Sequence, residues 1–242
     1  MRGRIKKRIF LSDLNSDLIN AYSVIKTDIE ALIEELSSDR YKNKKEVYYN
    51  IRKENPTSNI KKAARFIYLN KTAFNGLYRV NSKGEFNVPF GKYKNPKILD
   101  EPNLRLINKA LQKDEIACAG FEIVLKNAKK GDLIYFDPPY FPISKTSSFT
   151  SYTKGSFSIK EQTNLMKTFK KLDSMGCYVM LSNSYSEFIS SLYSEFESEV
   201  VYANRMINCK GDRRGQIKEL IVRNWESKII QMNLMEEIAA AN

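Results

Sequence analysis

Apolar residues first gather over residues 5–12, a short run that reads as a β-strand ending at Asp13. The period then changes. Leu18, Ile19, Tyr22, Ile25, Ile29, Leu32, Ile33 and Leu36 recur at helical spacing and predict one long amphipathic helix. A second helix is expected over roughly 40–54, stopping before Pro56, and a third from about Ser58 to Thr72 through Ala63, Phe66, Ile67 and Leu69. The stretch FNGLYRVNSKGEFNVPFGKYKNP (74–96) has neither period and is rich in Asn, Gly, aromatic and basic residues. Within it Asn81-Ser82-Lys83-Gly84 is turn chemistry between two short extended runs, so a β-hairpin is predicted.

From residue 100 the pattern alternates between the two periods. A helix is expected over about 102–112, a short strand at 115–119, and an apolar strand DLIYFD at 132–137 ended by two prolines. Ser158 and Glu161 form a capping box opening a helix that reaches about Met175 and stops at Gly176. CYVMLS (177–182) reads as a buried strand, 186–195 as a helix, and 198–203 and 217–223 as strands flanking the loop NCKGDRRG. Alternating strands and helices imply an α/β fold with a doubly wound, largely parallel sheet, and such sheets bind ligands at the carboxyl ends of their strands. Asp13 and Asp137 both sit at such ends. Ile229, Ile230, Leu234 and Ile238 keep helical spacing in the final stretch, 226–242, which reads as an appended helix or tail.

Composition narrows the chemistry. At 242 residues the chain can bury one sizeable core plus a small subdomain. Forty Lys+Arg against 28 Asp+Glu leave a net charge of +12, which leans slightly toward a polyanionic partner over simple lysine enrichment. The chain has no His, which excludes histidine bases, Ser-His-Asp triads and most zinc sites, and no metal ligand set is expected. Cys118, Cys177 and Cys209 are odd in number and far apart, the pattern of a reducing compartment; Cys118 and Cys177 lie in apolar runs and read as core. The N-terminus has no apolar run of signal-peptide length, and no stretch is long enough to span a membrane. A cytoplasmic location is expected.

The sharpest chemical signal is Asp137-Pro138-Pro139-Tyr140, directly after a buried strand. A proline pair there can be a mere structural stop, but the group also suits methylation of an aromatic amine. The lone pair of adenine N6 is delocalised into the ring, so the nitrogen is a poor nucleophile. A carboxylate and a backbone carbonyl accepting its two hydrogens draw the lone pair out of conjugation, a Pro-Pro turn fixes that carbonyl, and an aromatic ring holds the base by stacking. Asp137, the Pro138 carbonyl and Tyr140 can supply these roles without a histidine.

With the context IYFDPPYFPIS…SFTSYT…SF, the block RFIYLN…FNGLYRVNSKGEFNVPFGKYKNP and the segment LSDLNSDLINAY, the chain resembles the Dam-type DNA adenine-N6 methyltransferases over roughly residues 8–225. The resemblance implies methyl transfer from S-adenosylmethionine to adenine N6 in double-stranded DNA, within GATC. It also implies a class I methyltransferase (Rossmann-like) sheet over residues 1–15 and 97–225, with a helical and β-hairpin target-recognition region at 16–96. By resemblance Asp13 hydrogen-bonds the cofactor ribose, although its position also suits a helix-start aspartate. Phe121 stands for the apolar residue against the cofactor adenine, and Asp137 borders the methyl region. Before Phe121 many relatives carry an acid, where this chain has Gly120. Arg79 matches a guanine-reading position, Leu77 and Pro89 match positions that pack on a thymine methyl, and Asn81 lies in the same DNA-contacting hairpin. Phe74 and Asn75 stand where a wedge and a gap-filler replace the extruded adenine, and Phe74 reads equally well as a core aromatic. Arg65, Lys92, Lys94, Lys210, Arg213 and Arg214 are candidate phosphate contacts, each singly also readable as a solvated surface charge.

One part of the family pattern has no counterpart in the 242 residues. Relatives carry a lysine-rich W/K-x-G-G-K segment and then a strand ending in F-x-G-G-G, whose glycines admit the methionine end of the cofactor. Neither FGKY, AGFE nor GDRRG has that spacing or setting. The sheet is therefore expected without its first, central strand, at a cost in unpaired backbone groups. Three readings stay open: a split enzyme completed by an N-terminal fragment, a truncated copy, and a DNA-binding module without catalysis. The intact DPPY and hairpin argue against long decay.

Overall fold

The computed structural model describes residues 8–143, 157–204 and 216–226. Compactness divides the chain into two units, Met1–Gly120 and Phe121–Asn242. The boundaries expected at residues 15 and 96 both fall inside the first unit.

In the first unit, strands β1 (Phe10–Asp13) and β2 (Glu115–Cys118) pair in parallel, from Phe10 opposite Glu115 to Asp13 opposite Cys118. Asn15 then caps helix α1 (Ser16–Thr27), its side chain accepting from the amides of Asp17 and Leu18. The single long helix expected here is in fact two. At Asp28 the backbone leaves helical geometry (φ −132°, ψ 42°), and α2 (Ile29–Ser37) restarts at once. Thr27 turns its hydroxyl back to the Ser23 carbonyl, and Thr and Asp are both weak helix formers. The apolar spacing continues across the break, which conceals it in the sequence pattern.

Helix α3 (Lys45–Lys53) begins later than expected because residues 38–44 are held irregularly, with the Lys42 carbonyl accepting from the Tyr68 hydroxyl at 2.9 Å. Helix α4 (Asn59–Thr72) is the central element, with Ala63, Ala64, Tyr68, Leu69 and Thr72 buried against α1 and α2. Helix α5 (Glu101–Leu111), with proline in its first turn, packs on α1 and α2 and leads into β2. Cys118, expected in the core, is exposed, because it ends a two-stranded sheet too small to cover it.

In the second unit a short helix, α6 (Val124–Asn127), precedes β3 (Leu133–Phe136). Helix α7 (Ile159–Ser174) opens with the expected Ser158–Glu161 capping box and ends before Gly176, whose φ of 76° favours glycine. Then follow β4 (Tyr178–Ser184), α8 (Glu187–Leu192), β5 (Glu197–Asn204) and β6 (Gln216–Arg223). The strand order is β3-β4-β6-β5. Within this sheet β3 and β4 pair in parallel and β6 runs antiparallel to both its neighbours, so β3, β4 and β5 share one direction and β6 alone opposes them. The physical reason is that parallel strands need a crossover of roughly a dozen residues or more, usually helical, whereas β5 and β6 are separated in sequence only by residues 205–215. Leu165, Phe169, Leu172, Val179, Leu181, Ile189, Leu220 and Val222 form the core, and Cys177 is buried as expected.

Among the described residues β1 pairs only with β2 and β3 only with β4, so each keeps one unpaired edge. Leu11 on β1, and Leu133 and Tyr135 on β3, are exposed large side chains. No helix among the described residues is long and apolar enough to cross a membrane.

Candidate active site and nucleic-acid interface

Strand β3 delivers Asp137 at its carboxyl end, with Pro138 half-buried and Asp137, Pro139 and Tyr140 exposed. The Asp137 carboxylate accepts from the Ser182 hydroxyl at 3.1 Å, and that hydroxyl also meets the Tyr135 hydroxyl at 2.8 Å. The acid is thus oriented by neighbouring strand β4 while its other oxygen meets no protein donor among the described residues. Nothing among the described residues donates to the Pro138 carbonyl either. Tyr140 keeps 40% of its surface and directs its hydroxyl to Glu219 of β6 at 3.2 Å. Partial burial, reinforced by the nearby Glu219 and Asp137 carboxylates, raises the phenol above its ordinary value. An open carboxylate, an open carbonyl and an accessible ring therefore share one short loop.

The 73–91 segment of the first unit is built on α4. The Phe74 amide donates to the Pro89 carbonyl and the Gly91 amide to the Thr72 carbonyl, tying the segment's end to its beginning. A Cβ at Gly91 would lie 2.8 Å from the Ala73 carbonyl oxygen, so only glycine permits this approach. The expected hairpin turn forms at Asn81, whose side chain accepts from the amides of Lys83 and Glu85, with Gly84 at φ 79°. Its arms meet only at isolated bridges, Val80 with Phe86 and Ala73 with Phe90, rather than in a continuous ladder. Asn75 adopts a left-handed conformation (φ 54°), after which Leu77 at 39% and Phe74 at 37% remain exposed. Phe74 is therefore not a core aromatic. Arg79 and Pro89 are also exposed, and the Arg79 Nε donates to Asn87 Oδ1 at 2.7 Å, which orients the guanidinium.

Sequence reasoning missed what anchors this surface. Tyr48 donates to the Val88 carbonyl at 2.8 Å, Arg52 to the same oxygen at 3.2 Å, and Tyr78 to Asp17 at 3.0 Å. Burial pushes the phenols of Tyr48, Tyr68 and Tyr78 up to about 12. Tyr48 lies at helical spacing from the buried Ile51, and that spacing was the available signal.

The candidate phosphate contacts separate. Lys92 and Lys94 are exposed. Arg65 instead donates to the carbonyls of Ile51 and Arg52 at 3.0 and 2.7 Å, closing the end of α3, and burial lowers its affinity for the proton. Its guanidinium is committed to the fold. Lys210, Arg213 and Arg214, with Cys209, lie outside the described residues, as do most of the tail and the SFTSYT segment.

A family model described as D12 class N6 adenine-specific DNA methyltransferase matches residues 3–207. The chain belongs to this family. Type II methyltransferase M.MjaIII of Methanocaldococcus jannaschii is 49% identical over 233 residues, covering 90% of this chain and 81% of that protein. Type II methyltransferase M1.LlaDCHI of Lactococcus lactis subsp. cremoris is 44% identical, with coverages of 90% and 80%. A DNA adenine methylase of Vibrio cholerae serotype O1 is 37% identical, with coverages of 89% and 79%.

Within this adenine methyltransferase, the residues expected to meet a nucleoside cofactor have suitable surroundings in their own units. Asp13 is exposed, and the α1 cap is Asn15 rather than Asp13. One Asp13 oxygen accepts the Asn15 amide at 2.6 Å, while the other meets no donor among the described residues and suits a ribose diol. Phe121 is half-buried in the second unit, edge-on to Phe157 at 5.9 Å, an apolar face of the kind that contacts a purine.

Proposed function

We propose that this chain methylates adenine N6 in double-stranded DNA, within GATC, with S-adenosylmethionine as methyl donor. The observation that carries the reading is the Asp137–Tyr140 loop at the end of β3, where an oriented carboxylate, a backbone carbonyl with no donor among the described residues and an accessible aromatic ring occur together. S-adenosylmethionine supplies an electrophilic methyl group; the residues of this chain make the amine able to accept it. Asp137 and the Pro138 carbonyl accept the two N6 hydrogens, and Tyr140 holds the ring by stacking. As the N6 lone pair forms the new N–C bond, positive charge grows on nitrogen beside the Asp137 carboxylate, which stabilises it electrostatically. The surplus N6 proton then leaves to solvent, directly or by way of Asp137. Asp13 binds the cofactor ribose and Phe121 its adenine.

The segment 73–91 reads the duplex, with Arg79 on guanine, Leu77 and Pro89 on a thymine methyl, and Phe74 and Asn75 filling the space left by the extruded base. Asn81 holds the turn, while Lys92, Lys94, Lys210, Arg213 and Arg214 contact phosphates. Residues 16–96 thus form the target-recognition region, and 1–15 with 97–225 the catalytic part. A strand carrying F-x-G-G-G is the complement expected at an unpaired edge of β1 or β3. The names of two relatives place them among Type II methyltransferases, which supports a role in restriction–modification. The bare DNA-binding alternative is less favoured, because identity with methyltransferases extends through both the loop and the recognition segment.

Plasmid DNA incubated with the protein and S-adenosylmethionine tests the target. Resistance to a nuclease that cuts only unmethylated GATC, with no protection at other adenine sites, is expected. Protection at a different sequence would overturn the GATC assignment while leaving the chemistry intact.

A further inference from the structure

Beneath the Asp137–Tyr140 loop lies a buried polar pair that none of the foregoing roles uses. Gln162, on the first turns of α7, and Asn183, on β4, are both fully buried, beside the buried Ser182 and Ser184 of the same strand. Gln162 Nε2 donates to the Pro139 carbonyl at 3.1 Å, and its Oε1 accepts from Asn183 Nδ2 at 3.2 Å. Asn183 Oδ1 in turn accepts the Phe141 amide at 2.9 Å and the Ser184 amide at 2.8 Å. The Ser184 hydroxyl completes the set by donating to the Phe141 carbonyl at 2.6 Å.

These bonds have one consistent direction. The Pro139 carbonyl requires a donor and the Phe141 amide requires an acceptor, so both side-chain amides have a single orientation that satisfies every partner. Pro139 C=O belongs to the peptide before Tyr140, and Phe141 N–H to the peptide after it. Both peptide planes flanking the ring are therefore clamped from below. The capping box that fixes the start of α7 also fixes the position of Gln162 one residue later. Two buried amides are costly unless their donors and acceptors are satisfied, and simple packing needs neither of them.

We propose that Gln162 and Asn183 are positioning residues for methyl transfer, acting through the loop to hold Tyr140 and, one peptide further back, the Pro138 carbonyl in reactive geometry. This deepens the adenine-N6 reading and rests on it. Neither residue reaches the surface, so neither touches DNA directly.

The test uses the full chain in the preparation that methylates DNA. Gln162→Met keeps the volume but removes both hydrogen bonds, and kcat is expected to fall about 10- to 100-fold, the scale of a misplacement near 1 Å. DNA Kd and KM should stay within about threefold, and the thermal midpoint should show a folded protein. Gln162→Glu supplies a signature that a merely structural role would not give. Burial raises a carboxyl pKa, and only the protonated acid can donate to the Pro139 carbonyl. Its kcat relative to the parent should therefore rise as pH falls.

Parental kcat in a folded Gln162→Met would overturn the proposal, as would a loss shared equally by kcat and DNA binding. Should both variants fail to fold, hydrogen exchange in the parent decides: the Phe141 amide should be protected like the core of β4, and exchange at exposed-loop rates would overturn the clamp. A parent that methylates no adenine would instead remove the functional reading itself, whatever the variants do.

Discussion

Arg79→Ala isolates the reading of one base from general attraction to DNA. The Arg79 Nε donates to Asn87 Oδ1 at 2.7 Å and Nη2 makes a long bond to the Asn87 carbonyl at 3.5 Å, so Nη1 and the second hydrogen of Nη2 are left to face guanine O6 and N7. A bidentate pair of this kind is worth about 1–3 kcal/mol of discrimination. At roughly 1.4 kcal/mol per decade, that becomes a 5- to 150-fold loss at one guanine and little change elsewhere. Asn87→Ala serves as an internal comparison, because it leaves the guanidinium in place but free to swing. Ordering one long side chain costs about 0.5–1.5 kcal/mol, so a loss of roughly 2- to 12-fold at the same base is expected. Arg79→Lys, which keeps the charge and loses the fork, should resemble the alanine variant in specificity and the parent in salt dependence. Fluorescence anisotropy with duplexes carrying single substitutions across the target, at two or more salt concentrations, measures all three. If Arg79→Ala weakens every duplex alike, or if Asn87→Ala shifts preference at a different base, the 73–91 segment does not read sequence through Arg79.

Alanine at Gly91 must displace the Ala73 backbone, with contacts at 2.8 and 2.9 Å, and should cost about 1–3 kcal/mol in urea unfolding together with a loss of target preference. A change under about 0.5 kcal/mol would show that the strap between residues 72 and 91 is not tight. Tyr48, Tyr68 and Tyr78 are held neutral up to about 12, above the usual 10. Their stabilisation is fully present below the unfolded value and lost as pH rises from 10 to 12, so thermal midpoints should fall in that window, accompanied by tyrosinate absorbance; constant midpoints there would contradict it. Alanine at Lys210, Arg213 or Arg214 should weaken all duplexes equally and lower the salt slope by about one per residue, and an altered base preference would argue against phosphate contact.

Local signals in the sequence were legible where one residue controls an outcome. Ser158 and Glu161 set the start of α7, Gly176 its end, and Asn81 with Gly84 the hairpin turn. The DPPY loop was located by its strand and its two prolines. What stayed hidden depends on contacts distant in sequence. The break at Asp28 preserves the apolar spacing and leaves no trace in it. The commitment of Arg65 to α3 requires knowing that the Ile51 and Arg52 carbonyls end beside it. The place of β6 between β4 and β5 is set by its pairing partners rather than by its own residues. Gln162 and Asn183 look like ordinary polar positions until the fold closes over them.

The central claim is adenine-N6 chemistry at Asp137, and nucleoside analysis of methylated DNA tests it most directly. Duplex DNA is incubated with the protein and isotopically labelled S-adenosylmethionine, digested to nucleosides and resolved by mass spectrometry, in parallel with Asp137→Ala. The account predicts label in N6-methyldeoxyadenosine alone for the parent, and none for Asp137→Ala even though its DNA affinity stays within a few-fold. Label in N4-methyldeoxycytidine, or continued adenine methylation by Asp137→Ala, would contradict it.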